Sequence, residues 1–143
     1  MNIAAIIISL VSFLVSLAGL VLSTIHDKRQ DTIEAFSRLQ EEALDKLYFY
    51  SKSKIEVISQ DNKSEEYKLI TLYLSRLEHF SVGVNTHLYN KKIAYRLAGE
   101  MFPYIYDKLQ PMIIVKRRIH GAENVYDEFE QFVTAINNIR GKR

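Results

Sequence analysis

The sequence predicts an all-α fold: a single N-terminal transmembrane helix over residues 1–26, then a helical domain over residues 27–143. Three observations lead there. No charged side chain occurs between Met1 and Ile25, and about 20 apolar residues are enough to cross roughly 30 Å of hydrocarbon. From Asp31 onward, apolar residues recur three and four apart, the spacing of a helix with one buried face. Two prolines, five glycines and abundant Leu, Ile, Tyr, Glu and Lys also fit a helical chain.

The anchor comes first. Its N-terminal flank has no basic residue, its apolar run is longer than that of a secretory signal, and no small-x-small site precedes the charges, so it is expected to be retained. His26, Asp27, Lys28 and Arg29 follow it at once. The positive-inside rule then places the N-terminus outside the inner (cytoplasmic) membrane and the domain in the cytoplasm. Small or polar residues fall at Asn2, Ala5, Ser9, Ser12, Ser16, Gly19 and Ser23, and the stripe stays in phase to His26 and Gln30. A strict 3.5-residue repeat favours left-handed coiling with a neighbour. Small residues permit close backbone approach and serines can bond across helices, so the stripe reads as the seam of a homo-oligomer. Serine bonding its own helix one turn back is the local alternative. A pore lined by the same serines is the sharper one, since a water path needs polar lining.

The cytoplasmic helices follow in order. Asp31 to Ile58 carries Ile33, Phe36, Leu39, Ala43, Leu44, Leu47, Tyr48, Tyr50, Ile55 and Ile58 at helical spacing, with no proline or glycine, and is expected to continue the anchor as one long rod or with a slight bend. Ser59 to Ser64 is a polar turn, with Asn62 and Glu65 placed as a capping box. A helix from about Lys63 to Tyr89 follows, with Tyr67, Ile70, Leu74, Leu77, Ser81, Val84 and Leu88 on one stripe and Gly83 open to a neighbouring helix. Asn90 closes this helix or caps the next, which covers Lys91 to Met101 with Ile93, Leu97 and Met101 inward. Pro103 suits the first turn of a further helix to Ile119, kinked at Pro111 and ended by Gly121. Asn124 is placed to cap the last helix, whose buried face is Val125, Phe129, Phe132, Val133, Ile136 and Ile139. These add up to a bundle of about four to five helices.

Charged residues supply the candidate sites. Glu78 borders an apolar stripe, where an unpaired carboxylate is costly. Arg96, Arg117 and Arg118 are its candidate partners, with Arg96 and Arg117 favoured for a structural ion pair that sets helix register. Lys116, Arg117, Arg118 and His120 form the dense basic cluster. Lys116, Arg118 and His120 could meet lipid headgroups or the phosphate of a nucleotide signal, or simply favour a helix C-terminus. The four histidines lack metal spacing, there is no cysteine, and no nucleophile elbow, phosphate loop or catalytic carboxylate pair occurs. No metal, cofactor or catalytic residue is therefore expected. A net charge of +2 with mixed signs argues against a nucleic-acid partner.

The segment Leu69 to Phe132 resembles a family of small bacterial proteins known as a domain of unknown function. The resemblance is carried by Leu77-Glu78, Val82-Gly83-Val84, Arg96 before Gly99, Tyr104 and Tyr106, Leu109 with Pro111, Arg117-Arg118, and Tyr126 through Phe129-Glu130. The family pattern has an asparagine where this chain has Ser75. The resemblance implies an N-terminal membrane helix with a helical cytoplasmic domain, and no agreed reaction. The expected function is a membrane-anchored, self-associating interaction or scaffold module that is not an enzyme. It would meet the lipid bilayer, further copies of itself and an unidentified protein or nucleotide signal. The alternative is an oligomeric membrane effector, of phage defence for example, that opens a leak when its domain assembles or binds a ligand.

Overall fold

No proline or glycine occurs between Leu20 and Val82, and the apolar segment accordingly runs unbroken into the domain. In the computed structural model, which describes residues 3–119 and 121–142, it forms α1 (Ile3–Leu39). At 1.5 Å per residue such a helix is about 55 Å long. A single π-helical turn (Gln40–Leu44) and the short α2 (Asp45–Tyr48) extend the rod. Then come α3 (Lys52–Ser59), α4 (Glu65–Asn85), α5 (Lys91–Ala98), α6 (Met101–Arg117) and α7 (Asp127–Arg140). The fold is all-α, with no strand among the described residues.

The outer part of α1 stands free of the domain, its large apolar side chains from Ile3 to Ile25 exposed. It is the one helix among the described residues long and apolar enough to cross a membrane. The inner part joins the bundle. Here α4 returns antiparallel to the rod: Phe80 meets Phe36 with ring centroids 5.8 Å apart, Arg76 pairs with Glu42 at 2.9 Å, and Glu66 pairs with Lys54 of α3 at 3.1 Å. The domain therefore has two poles. The end of α4 lies beside the exit of the span, and the α3–α4 turn lies at the far end.

Phe102 occupies the centre. Its ring lies 6.4 Å from Phe36, 5.8 Å from Phe80, 5.6 Å from Phe129 and 5.1 Å from Phe132, so one side chain of α6 joins α1, α4 and α7. The pairs with Phe129 and Phe132 are edge-to-face, and such pairs add about 0.5–1.5 kcal/mol each beyond the area they bury. Pro103 stands in the first turn of α6 as expected, and α6 runs through Pro111.

Several expectations about helix ends are corrected. The helix read across Asp31–Ile58 breaks at Phe49–Ser51, where extended Ser51 caps α3 by accepting the Lys54 N–H at 3.2 Å. The capping box of Asn62 and Glu65 does not form, because Ser64 takes that place and accepts the Tyr67 N–H at 3.1 Å. Asn90 does cap α5, accepting the Ile93 N–H at 3.1 Å. The inward face of α5 is Ala94 and Ala98, with Leu97 exposed and Ile93 half-buried. Small residues are buried there because α5 packs against α1. Ile33, Tyr48, Leu88 and Ile139, all placed inward from spacing, are exposed. Gly121 has a left-handed φ of 82° but lies beyond Arg118, which holds the C-cap of α6. The nearest neighbour of Gly83 is a loop side chain rather than a second helix. A Cβ there would collide with the ring of Tyr89, from the loop that folds back over α4.

Candidate functional site

Ala5, Ser9, Ser12, Ser16, Gly19 and Ser23 all lie exposed along the free part of α1, while Asn2 falls outside the described residues. The Ser16 hydroxyl donates to the Ser12 carbonyl at 2.9 Å, and Thr24 does the same to Leu20 at 2.9 Å. These local bonds are the back-bonding that lets serine and threonine sit in an apolar helix. Among the described residues, nothing beyond the adjoining part of α1 itself lies within 4 Å of a Cβ built on Gly19. The stripe continues past His26 and Gln30 to Ile33 and Ser37, both exposed, Ile33 by 48%. The face of α1 that enters the core carries Thr32, Phe36 and Leu39. At about 100° per residue these two faces are roughly 125° apart. The domain thus packs on one side of the rod and leaves the stripe uncovered on the other.

Where α1 leaves the apolar segment, two bonds fasten it to the loop between α4 and α5. Lys28 Nζ donates to the His87 carbonyl at 3.2 Å. Thr32, fully buried, donates its hydroxyl to the Lys28 carbonyl and accepts the Asn90 N–H at 2.7 Å. His87 adopts a left-handed φ of 63°, which turns the chain back toward α1. One threonine therefore joins α1 to the residue that starts α5. Its role escapes sequence reading, since a threonine on an otherwise helical stretch carries no pairing signal.

Glu78 does not form the expected ion pair. Its carboxylate accepts the backbone N–H of Phe129 at 2.8 Å and of Glu128 at 3.3 Å, at the start of α7. This explains how α7 begins without Asn124 as its cap. Tyr126 stands at the N-cap position with a left-handed φ of 65° and offers no side-chain bond, so α4 supplies the acceptor instead. Burial pushes the Glu78 carboxyl above its ordinary pKa, and the nearby Glu128 and Asp127 carboxylates add to that. The two N–H bonds pull it back in part. Burial, with Tyr67 and Glu78 close by, also pushes the Tyr126 hydroxyl up to about 12.

Arg117 pairs elsewhere. Its guanidinium reaches Asp127 at 3.0 Å and Glu130 at 2.7 Å and donates through Nε to the Val125 carbonyl at 3.0 Å. It fastens α6 to α7. Arg96 is exposed on α5. Lys116 lies over the Tyr67 ring at 4.5 Å, which places the basic cluster at the start of α4, the pole away from the span. Arg118 is exposed there and His120 falls outside the described residues.

Lys108 was not foreseen. It is 4% exposed, and its Nζ donates to the Leu47 and Tyr48 carbonyls at 3.2 Å each, with the Tyr104 ring 4.6 Å away. Both carbonyls lie at the end of α2, where helix carbonyls lose their intrahelical partners; Leu47 also accepts the Tyr50 N–H at 3.2 Å, and a lysine from α6 completes the end of the rod. The available signal is its position on the apolar stripe with Ile105 and Met112, where a lysine needs a buried acceptor. Every buried polar side chain among the described residues has a hydrogen-bond partner. Two of the surface grooves gather charged side chains beside apolar ones. One, of about 390 Å³, runs between α1 and α4 past Asp31, Arg38, Arg76 and His79. The other, of about 720 Å³, lies between α5 and α7 and holds Lys92, Arg96 and Arg140 beside exposed Leu97 and Ile139.

No curated protein and no solved structure matches the chain. A family model does, and it matches residues 6–136, which include most of the apolar segment, the junction at Thr32 and the Glu78 contact with α7. The chain belongs to the family described as a domain of unknown function, DUF4760.

Proposed function

We propose that this protein is a membrane-anchored, self-associating scaffold. Its N-terminus lies outside the inner membrane, and copies pair along the α1 stripe to display the helical domain on the cytoplasmic face without chemistry of their own. One observation carries the reading: the stripe of small and polar residues lies on the side of α1 opposite its own domain, so a second copy can reach it along the whole rod. Close approach of small residues and interhelical serine bonds are the means by which apolar helices pair in lipid. The flanking Lys28 and Arg29 support the orientation, and the family match supports the span as part of the domain's common architecture.

The test is the mass of the full-length protein in mild detergent by light scattering. Wild type is expected to run as an oligomer, and the Ser9→Leu, Ser12→Leu, Ser16→Leu triple variant as a monomer. An oligomer that survives the triple substitution would overturn the seam. The rival reading, an oligomeric effector of the kind used in phage defence, needs the same serines as a water path. It predicts dye leakage from vesicles carrying wild type and none from those carrying the triple variant.

A further inference from the structure

The pole of the domain beside the span exit carries an exposed apolar residue and cations that the core does not use. After α4 the left-handed turn at His87 leaves Leu88 62% exposed at the loop tip. Lys91 and Lys92 follow, both exposed, and Lys28 and Arg29 are exposed on α1 close by. The Lys28–His87 and Thr32–Asn90 bonds hold this loop beside α1 between Lys28 and Thr32. Those two residues stand about 5–10 Å along the helix axis past Ile25, the last apolar residue of the span. The headgroup layer of one leaflet is about 5–8 Å deep. The loop is thus held at or just below headgroup level by bonds within the protein.

We propose that the α4–α5 loop is a lipid-contacting element. Leu88 enters the boundary between headgroups and acyl chains, and Lys28, Arg29, Lys91 and Lys92 bind the phosphates of anionic lipids. Four cations there face three carboxylates of α1, Asp27, Asp31 and Glu34, the last two in the groove that Leu88 lines, so the positive sign prevails by one. Lys91 also leans toward the Tyr95 ring, 5.7 Å from its centroid, which leaves Lys92 the freer of the pair. A basic group near an anionic surface strengthens binding about fivefold. The domain would therefore stand on the leaflet in a fixed orientation rather than swing beneath it. This inference rests on the membrane-anchored reading above.

The chain has no cysteine, so single cysteines take a fluorescent label without ambiguity. Full-length protein with Leu88→Cys, Leu14→Cys or Val57→Cys is labelled with an environment-sensitive dye and reconstituted in phosphatidylcholine vesicles with or without phosphatidylglycerol. Nitroxide lipids, shallow or deep, act as quenchers. The label at position 88 is expected to be quenched by shallow nitroxides at least twofold more in anionic vesicles than in neutral ones. Adding Lys91→Glu and Lys92→Glu removes that difference. The label at position 57, near the far pole, stays unquenched. Quenching at 88 no greater than at 57, or equal in both vesicle types, overturns the proposal. The label at position 14 separates the two readings. Quenched by deep nitroxides while 88 is not, it leaves the span intact and sinks only the loop contact; unquenched, it sinks both.

Discussion

Single side chains decide where the helices of this domain stop and start. Glu78 and Lys108 each leave their own helix to complete the end of another. Lys108→Met would keep the bulk of the stem but leave the Tyr48 carbonyl without its donor and the Leu47 carbonyl with its backbone partner alone, for a loss of about 1–3 kcal/mol in chemical denaturation. Glu78 carries a pH signature. Its carboxyl is raised by burial above the unfolded value, so folding favours the protonated form. The stability it contributes is fully present below the unfolded pKa of about 4 and is lost as pH rises through the folded value. The melting temperature of wild type relative to Glu78→Gln is expected to fall between pH 4 and pH 7, and a flat difference would remove burial as the cause of the shift. At this scale the sequence was partly legible. That Glu78 needed a partner could be read from its place beside an apolar stripe. That the partner is two backbone N–H groups of α7 could not, because backbone donors leave no mark in the residue pattern.

Helices themselves were legible by periodicity, and their ends much less so. The stripe of α4 from Tyr67 to Val84 is buried as its spacing indicates, and so are Phe129, Phe132, Val133 and Ile136 of α7. Periodicity fails where the burying neighbour is close or where another element takes over. On α5, close packing against α1 selects Ala94 and Ala98 and turns Leu97 outward. At Phe49–Ser51 the rod stops without proline or glycine, because Lys108 and Ser51 together satisfy the broken backbone. The junction of α1 with α5 makes a prediction at this scale. Thr32→Val keeps the shape but removes the acceptor of the Asn90 N–H, at about 1–2 kcal/mol. Hydrogen exchange at Asn90 to Ile93 is expected to quicken, while the centre of α4 keeps its protection. Unchanged exchange at Asn90 would mean that the loop is held by its packing alone.

For the whole molecule, the two poles give each surface its meaning. The basic cluster after Val115 draws the eye in the sequence, yet the antiparallel return of α4 carries it far from the span. Lys28, Arg29, Lys91 and Lys92, separated in the chain, come together at the exit instead. No local pattern announces this, since it depends on α4 being long enough to bring residue 87 back to residue 28. The stripe along α1, by contrast, was visible as a repeat, and the fold adds which way it faces. That direction has a consequence for anything the domain captures. In the proposed scaffold, copies joined along a face turned away from their domains would carry those domains outward, around the rim of the assembly and clear of one another. Each added copy then contributes an unobstructed binding surface at a fixed spacing. A weak partner with two or more contact points would gain avidity by holding several domains at once, commonly 10²–10⁴-fold over a single contact, and would lose it when the copies part.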